Sequence, residues 1–368
     1  MAAAPEHLSG TFWILVLYDV CEEIRLEELR AILGAQPAGR GPSFRGPTPE
    51  YVRFQKPPVI EYLEPLVLAS GERLQHQIHY YEYGVVSIEL QLPFEFDWQE
   101  LMRLSSRWIA APEIEQQAAA SVRRSLELAR PALVKPREQW LSEDYYIIQL
   151  RPVIKSDGGT VTGEELIAHH GDDIAQIVRG EMQRLSEDER TEILQSRRSY
   201  YPEDLVVIGW TAALVYDTPE GALPAIQLLE YANSQLIEFR YYDDMLTRLL
   251  ADVYRSLDKG TGVLARWRMA REAERLNTIR LDVRELTERM DNSIKFLSDM
   301  FSARVYKLAA GKVGVTDYRL LVDEKLHTAG DLYQFMMDQF QQGRAFVLEL
   351  MVVIILVIEL VFLFRGKV

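Results

Sequence analysis

His169 and His170, followed after one glycine by Asp172 and Asp173, are the residues here whose types suit a metal ion. Imidazole and carboxylate hold zinc or iron when their ligand atoms converge. Successive side chains on a helix diverge by about 100°, so at most two of these four point the same way. Six histidines occur in all, and no second His/Asp/Glu motif completes the set. The expected reading is a polar helix face. Tyr80, Tyr81 and Tyr83 could stack on nucleic-acid bases, as sheet-borne aromatics do in RNA binders. Alternation in a strand would put Tyr81 and Tyr83 on one face and Tyr80 on the other. They lack basic neighbours, so packing is their expected role. The chain shows no P-loop, no GxSxG elbow and no GxGxxG fingerprint after a strand. Gly158-Gly159 reads as a turn. Cys21 is the sole cysteine, which excludes an intrachain disulfide and a cysteine zinc site. No catalytic residue, metal ligand or cofactor is therefore assigned, and an enzyme is not expected.

The elements that would position any site come next. With 368 residues the chain suits two domains and a helical region, and its 48% hydrophobic content fits a folded protein. Its 55 acidic against 41 basic residues leave a formal charge of −14, which repels nucleic-acid phosphate. Residues 11–20 are apolar and β-rich. An amphipathic stretch from Ile24 to Leu33 ends at Gly34, and 35–50 reads as a Pro/Gly loop. Strands are expected at 58–68 and 76–92, and helices at 97–109 and 111–130. Residues 1–136 then form an α+β domain of split-βαβ order. A second such unit covers 137–217, with a strand from Tyr145, a helix over 162–184 and a strand over 203–216 that turns near Gly209.

Residues 218–345 read as a helical hairpin or coiled-coil stalk. Leu246 and Leu250 in its first helix, and Leu276 and Leu286 in its second, follow heptad-like three-four spacing. Asp243 interrupts the first seam, and glycine breaks fall at Lys259–Gly262 and at Gly311–Gly314. An intramolecular hairpin and self-association both satisfy these seams.

From Phe346 to Phe364 the chain reads FVLELMVVIILVIELVFLF, with Glu349 and Glu359 its only charges. As a helix this reaches about 28 Å, close to a ~30 Å hydrocarbon core. It is expected to be a C-terminal transmembrane anchor, with Ile354 and Ile355 central and Glu359 near an end or against a second helix. The start, MAAAPEHLSG, resembles neither a secretory signal nor a transit peptide, so the head is expected in the cytoplasm.

Three stretches resemble the Required for Meiotic nuclear Division (RMD1-like) family of unknown function. They are HYYEYGVVSIEL (79–90), EAERLNTIRLDVRELTERM (272–290) and LELMVVIILVIELVF (348–362). Departures are a missing Trp after Ser87-Ile88 and a Gly-rich insertion between the second and third helices. The resemblance implies a non-catalytic, membrane-anchored protein, whose mitochondrial members support translation at the inner membrane. Without a transit peptide, a bacterial inner-membrane version is expected. The functional expectation is a scaffold or tether whose partners are membrane lipid, further copies of itself and other proteins, with nucleic acid not expected. The alternative is an enzyme or RNA-binding translation accessory with a site between the two α/β units.

Overall fold

The computed structural model describes residues 7–34, 52–54, 57–68, 71–109, 111–257, 263–296 and 300–366. In chain order they form β1 (Leu8–Asp19), β2 (Glu23–Ile24), α1 (Leu26–Leu33), β3 (Val52–Phe54), β4 (Val59–Val67), β5 (Arg73–Tyr80) and β6 (Val85–Phe96). Next come α2 (Trp98–Trp108), α3 (Pro112–Ala129), β7 (Leu133–Val134), β8 (Leu141–Leu150), α4 (Gly163–Arg179) and α5 (Glu187–Gln195). Then follow β9 (Arg197–Arg198), β10 (Leu205–Ile208), β11 (Ala212–Tyr216), α6 (Pro219–Leu257), α7 (Val263–Ser293), β12 (Ile294–Phe296), α8 (Met300–Val313) and α9 (Val315–Arg365). The class is α+β.

Eight strands make one sheet in the order β4-β5-β6-β1-β8-β11-β10-β9. β1 lies inside it, antiparallel to β6 and to β8, with Ile14 opposite both Leu90 and Tyr146. Its near-continuous apolar run fits a strand covered on both faces. β8 and β11 pair in parallel, and α4 lies in the crossover between them. The expected stretches 1–136 and 137–217 thus contribute neighbouring strands to a single sheet. One face carries Phe12, Ile14, Val16, Tyr18, Ile78, Ile88 and Leu90 into the main apolar core, together with Leu101 of α2, Val122 of α3 and Ile174 of α4. Local signals place these helices. Asp97 and Thr162 each cap a helix through a capping box, and Gly180 closes α4 at φ +73°.

The expected strand 76–92 is two strands. Tyr81 to Gly84 form a tight turn, in which the Gly84 N–H donates to the Tyr81 carbonyl at 3.1 Å. Gly84 has φ +90°, and a Cβ there would lie 1.9 Å from the Cys21 carbonyl oxygen. Only glycine fits that position.

The chain divides into two compact units. The first is Met1–Tyr241 with Arg289–Tyr318, and the second is Tyr242–Glu288 with Arg319–Val368. In the second, Leu246, Leu250 and Leu276 are buried, while the Leu286 side chain lies outside the described residues. Asp243, the seam's odd residue, meets Lys325 of α9, whose Nζ is 2.5 Å from its carboxylate and 2.5 Å from Thr247 Oγ1. The expected break at Lys259–Gly262 also lies outside the described residues. The break near Gly314 is present, with φ +95° between α8 and α9.

The expected transmembrane anchor requires correction. Among the described residues no helix is long and apolar enough to cross a membrane. The backbone of 346–364 belongs to α9, but the side chains of Phe346 and Phe364 lie outside the described residues. Ile354, Ile355, Glu349 and Glu359 are exposed. The single-pass anchor and the inner-membrane location built on it are not supported.

Candidate functional site

β-Strand alternation gives the sheet a second face, and on that face the sequence is polar. Gln77 and His79 of β5, and Ser87 and Glu89 of β6, point opposite to the core residues Ile78, Ile88 and Leu90. Pairing sets His79 opposite Ser87 and Gln77 opposite Glu89. α6 covers this face. Glu230, Ser234 and Glu238 recur on it at spacings of four residues, so they form one stripe. Every residue from 228 to 239 is buried.

The two polar surfaces meet. His79 Nδ1 lies 2.9 Å from Glu230 Oε2 and 3.7 Å from Glu89 Oε1, and these three side chains are 6%, 2% and 3% exposed. Gln77 Nε2 is 3.1 Å from His79 Nε2 and donates to Glu89 Oε2 at 2.5 Å. One turn further along α6, the Ser234 hydroxyl lies 2.5 Å from the Tyr83 hydroxyl. The rings of Tyr81 and Tyr83 stack with centroids 5.5 Å apart, both buried. Glu230 Oε1 and Ser87 Oγ are buried with no partner in hydrogen-bonding geometry, although the Ser87 and Tyr81 hydroxyls face the Glu230 carboxylate.

Charge follows from this geometry. Burial alone would lower the His79 imidazolium, but the Glu230 and Glu89 carboxylates outweigh it and lift it to about 9. Burial raises Glu89 to about 7, with His79 pulling it down and Glu230 pushing it up. Burial would also raise Glu230; His79 and the facing hydroxyls nonetheless hold it below the usual glutamate range.

A second ionic cluster lies on the same face. Arg137 Nε donates to Asp19 Oδ2 at 2.7 Å, and its Nη2 is 3.9 Å from Glu238 Oε1. The guanidinium sits 3.6 Å from the centroid of the Tyr241 ring. Burial lifts Asp19 to about 6 even though Arg137 pulls it down. Burial also pushes the Cys21 thiol up to about 12.

The sequence motif at His169 brings no ligand set together. His169 Nδ1 is 2.8 Å from the Glu165 carbonyl oxygen, and His170 stacks on Trp98 and pairs with Asp173 at 2.9 Å. Asp172 pairs with Arg184 and Arg190. A cavity of about 470 Å³ beside the start of α4 is lined by Thr162, Arg197, Arg198, Ser199 and Tyr201 among others. Ser199 donates to the Asp204 carbonyl at 2.7 Å. His79, Glu89, Glu230, Asp19, Arg137 and Glu238 were not among the sequence candidates. Their signal was the α6 stripe set against polar alternation in β5 and β6.

A family model described as "Uncharacterized protein MJ0711, N-terminal domain" matches residues 9–222. The chain belongs to that family. Its matched segment runs from β1 into α6 and contains His79 and Glu89; Glu230 lies just beyond it. The uncharacterized protein MJ0711 of Methanocaldococcus jannaschii is 18% identical over 188 residues, covering 51% of this chain and 58% of that protein. The chain thus matches little more than half the length of this relative. No solved structure matches.

Proposed function

We propose that this member of the MJ0711 N-terminal-domain family is a non-catalytic scaffold that assembles with further copies of itself. One observation carries the reading. Along α9, large apolar side chains from Met351 to Leu363 are exposed on every side of the helix, with Val353 at 54%, Leu356 at 57% and Phe362 at 72%. An all-round apolar helix has to be covered by other protein on all sides, and a contiguous patch of this kind marks an association surface. The reading is also consistent with the first unit, whose ionisable cluster is closed to solvent and so offers no room for a substrate. Kinship with the RMD1-like proteins is part of the same proposal. It rests on 79–90, 272–290 and 348–362, of which only the first falls within the matched segment.

Light scattering on the full-length protein tests the assembly. The expected mass is a multiple of the 42.4 kDa chain. Ile354→Lys combined with Val361→Lys should return it to the mass of one chain, because lysine in such an interface leaves a buried charge unpaired. A wild-type protein that runs as a single chain refutes the reading.

A further inference from the structure

Three side chains from three separate elements converge where the sequence placed no ligand set. His79 comes from β5, Glu89 from β6 and Glu230 from α6, and one donor atom from each lies within 4.8 Å of the others. We propose that these three residues bind a divalent first-row transition-metal ion, with zinc(II) as the fitting case.

Distance is the first ground. Zinc bonds of ~2.0–2.2 Å to nitrogen and oxygen set tetrahedral ligand atoms about 3.3 Å apart. The separations from His79 Nδ1, 2.9 Å to Glu230 and 3.7 Å to Glu89, fall on either side of that value. The third separation, Glu89 to Glu230, lies within 4.8 Å, so rotation of these side chains closes the set around an ion.

Unmet bonding capacity is the second. Glu230 Oε1 and Ser87 Oγ are buried outside hydrogen-bonding geometry, and only the neutral Ser87 and Tyr81 hydroxyls face the Glu230 carboxylate besides His79. A buried carboxylate oxygen that lacks well-formed hydrogen bonds is costly, and a cation beside it removes the cost. The Ser87 and Tyr81 hydroxyls, which face Glu230, are near enough to supply a fourth ligand directly or through a water.

Charge and ligand type are the third. Two carboxylates and a neutral imidazole sum to −2, which a dication balances. On binding, the ring gives up its Nδ1 proton, and Glu89 any proton it holds, to solvent, and the ring coordinates as neutral imidazole. A mixed nitrogen–oxygen set selects ions of the zinc, iron(II) or manganese(II) type, whereas calcium takes six to eight oxygens. Gln77, which donates to Glu89 Oε2, is placed as the outer partner that orients that ligand.

With its ligands 2–6% exposed, the ion has to enter during folding. The test therefore uses full-length protein produced in zinc-supplemented medium and purified without chelator. Elemental mass spectrometry should find one zinc per chain. Crystals should show an anomalous peak at the zinc edge within bonding distance of His79, Glu89 and Glu230. Glu230→Gln should lose the metal, and a chelator present during thermal melting should lower the wild-type midpoint while leaving that variant unmoved. Should Glu230→Gln fail to fold, the wild-type anomalous map alone decides. Folded wild-type protein without stoichiometric zinc, or with its peak elsewhere, overturns the proposal and leaves a metal-free imidazolium between two carboxylates.

Discussion

Arg137→Met is the sharpest probe of how the polar face of the sheet is held. Arg137 neutralises two carboxylates that water cannot reach, Asp19 at 0% and Glu238 at 1% side-chain exposure. Methionine keeps much of the stem's packing and removes the charge. Stripping one partner from a buried ion pair costs about 3–5 kcal/mol when the remaining charge stays ionised. For a unit of this size that is a fall in melting midpoint of roughly 6–15 °C near pH 8. Asp19 already titrates at about 6 with Arg137 beside it. Without the guanidinium its carboxyl titrates higher still, so near pH 5 it is neutral in the variant. The loss should then shrink toward that of one hydrogen bond, about 1–2 kcal/mol. Circular-dichroism melts of both proteins near pH 5 and pH 8 measure the difference directly. Adding Asp19→Asn to the variant should restore part of the loss at the higher pH. Equal losses at the two pH values, or a variant melting within about 2 °C of wild type at both, would show that the cluster is not an ion pair that matters.

Asp19 also gives the wild type a pH signature. Its folded value of about 6 exceeds the unfolded value of about 3.9, so its contribution to stability is complete below the unfolded value and is lost as pH rises through 6. Urea midpoints should decline across that window and decline less in Asp19→Asn; identical slopes contradict the assignment. Gly84→Ala forces a Cβ into φ +90° and against the Cys21 carbonyl oxygen. It should lose about 3 kcal/mol from backbone strain and overpacking together, and a chemical-denaturation curve matching wild type would rule that out. Leu276→Ala empties a fully buried position in the second unit and should cost about 2–5 kcal/mol in the same measurement; an unchanged curve would deny it a place in that unit's core.

The apolar framework could be read directly from the chain. The run at 11–20 announced β1 and Asp97 announced the start of α2, because each rests on local chemistry; the helix expected over 162–184 begins there as α4 but stops at Gly180. The run from 76 to 92 misled because aromatic and β-branched residues favour strand on both sides of the turn, and Gly84 alone marks the reversal. The polar cluster was hidden for a different reason. Gln77, His79, Ser87 and Glu89 alternate as a solvent-facing strand edge does, and Glu230, Ser234 and Glu238 resemble the wet stripe of a surface helix. Each pattern is ordinary alone. That the two cover each other depends on a contact across 151 residues, which no local spacing encodes. At His169-His170 helix spacing alone argued against a ligand set, because residues adjacent in sequence diverge in space. The 346–364 segment was judged by length and hydropathy alone; among the described residues no helix is long and apolar enough to cross a membrane.

The polar face of the sheet has a consequence for synthesis. Chain order puts β1, β5, β6 and β8 ahead of α6, so the growing protein can pair these strands before their cover exists. A half-built sheet with a bare apolar face is prone to stick to its neighbours. Here Asp19, Gln77, His79, Ser87 and Glu89 interrupt that face and remain well hydrated while they wait. α6 then arrives with Glu230, Ser234 and Glu238 in matching positions. A helix without that stripe would bury these waiting groups unpaired, so the residues that keep the nascent sheet soluble also select the helix that closes it.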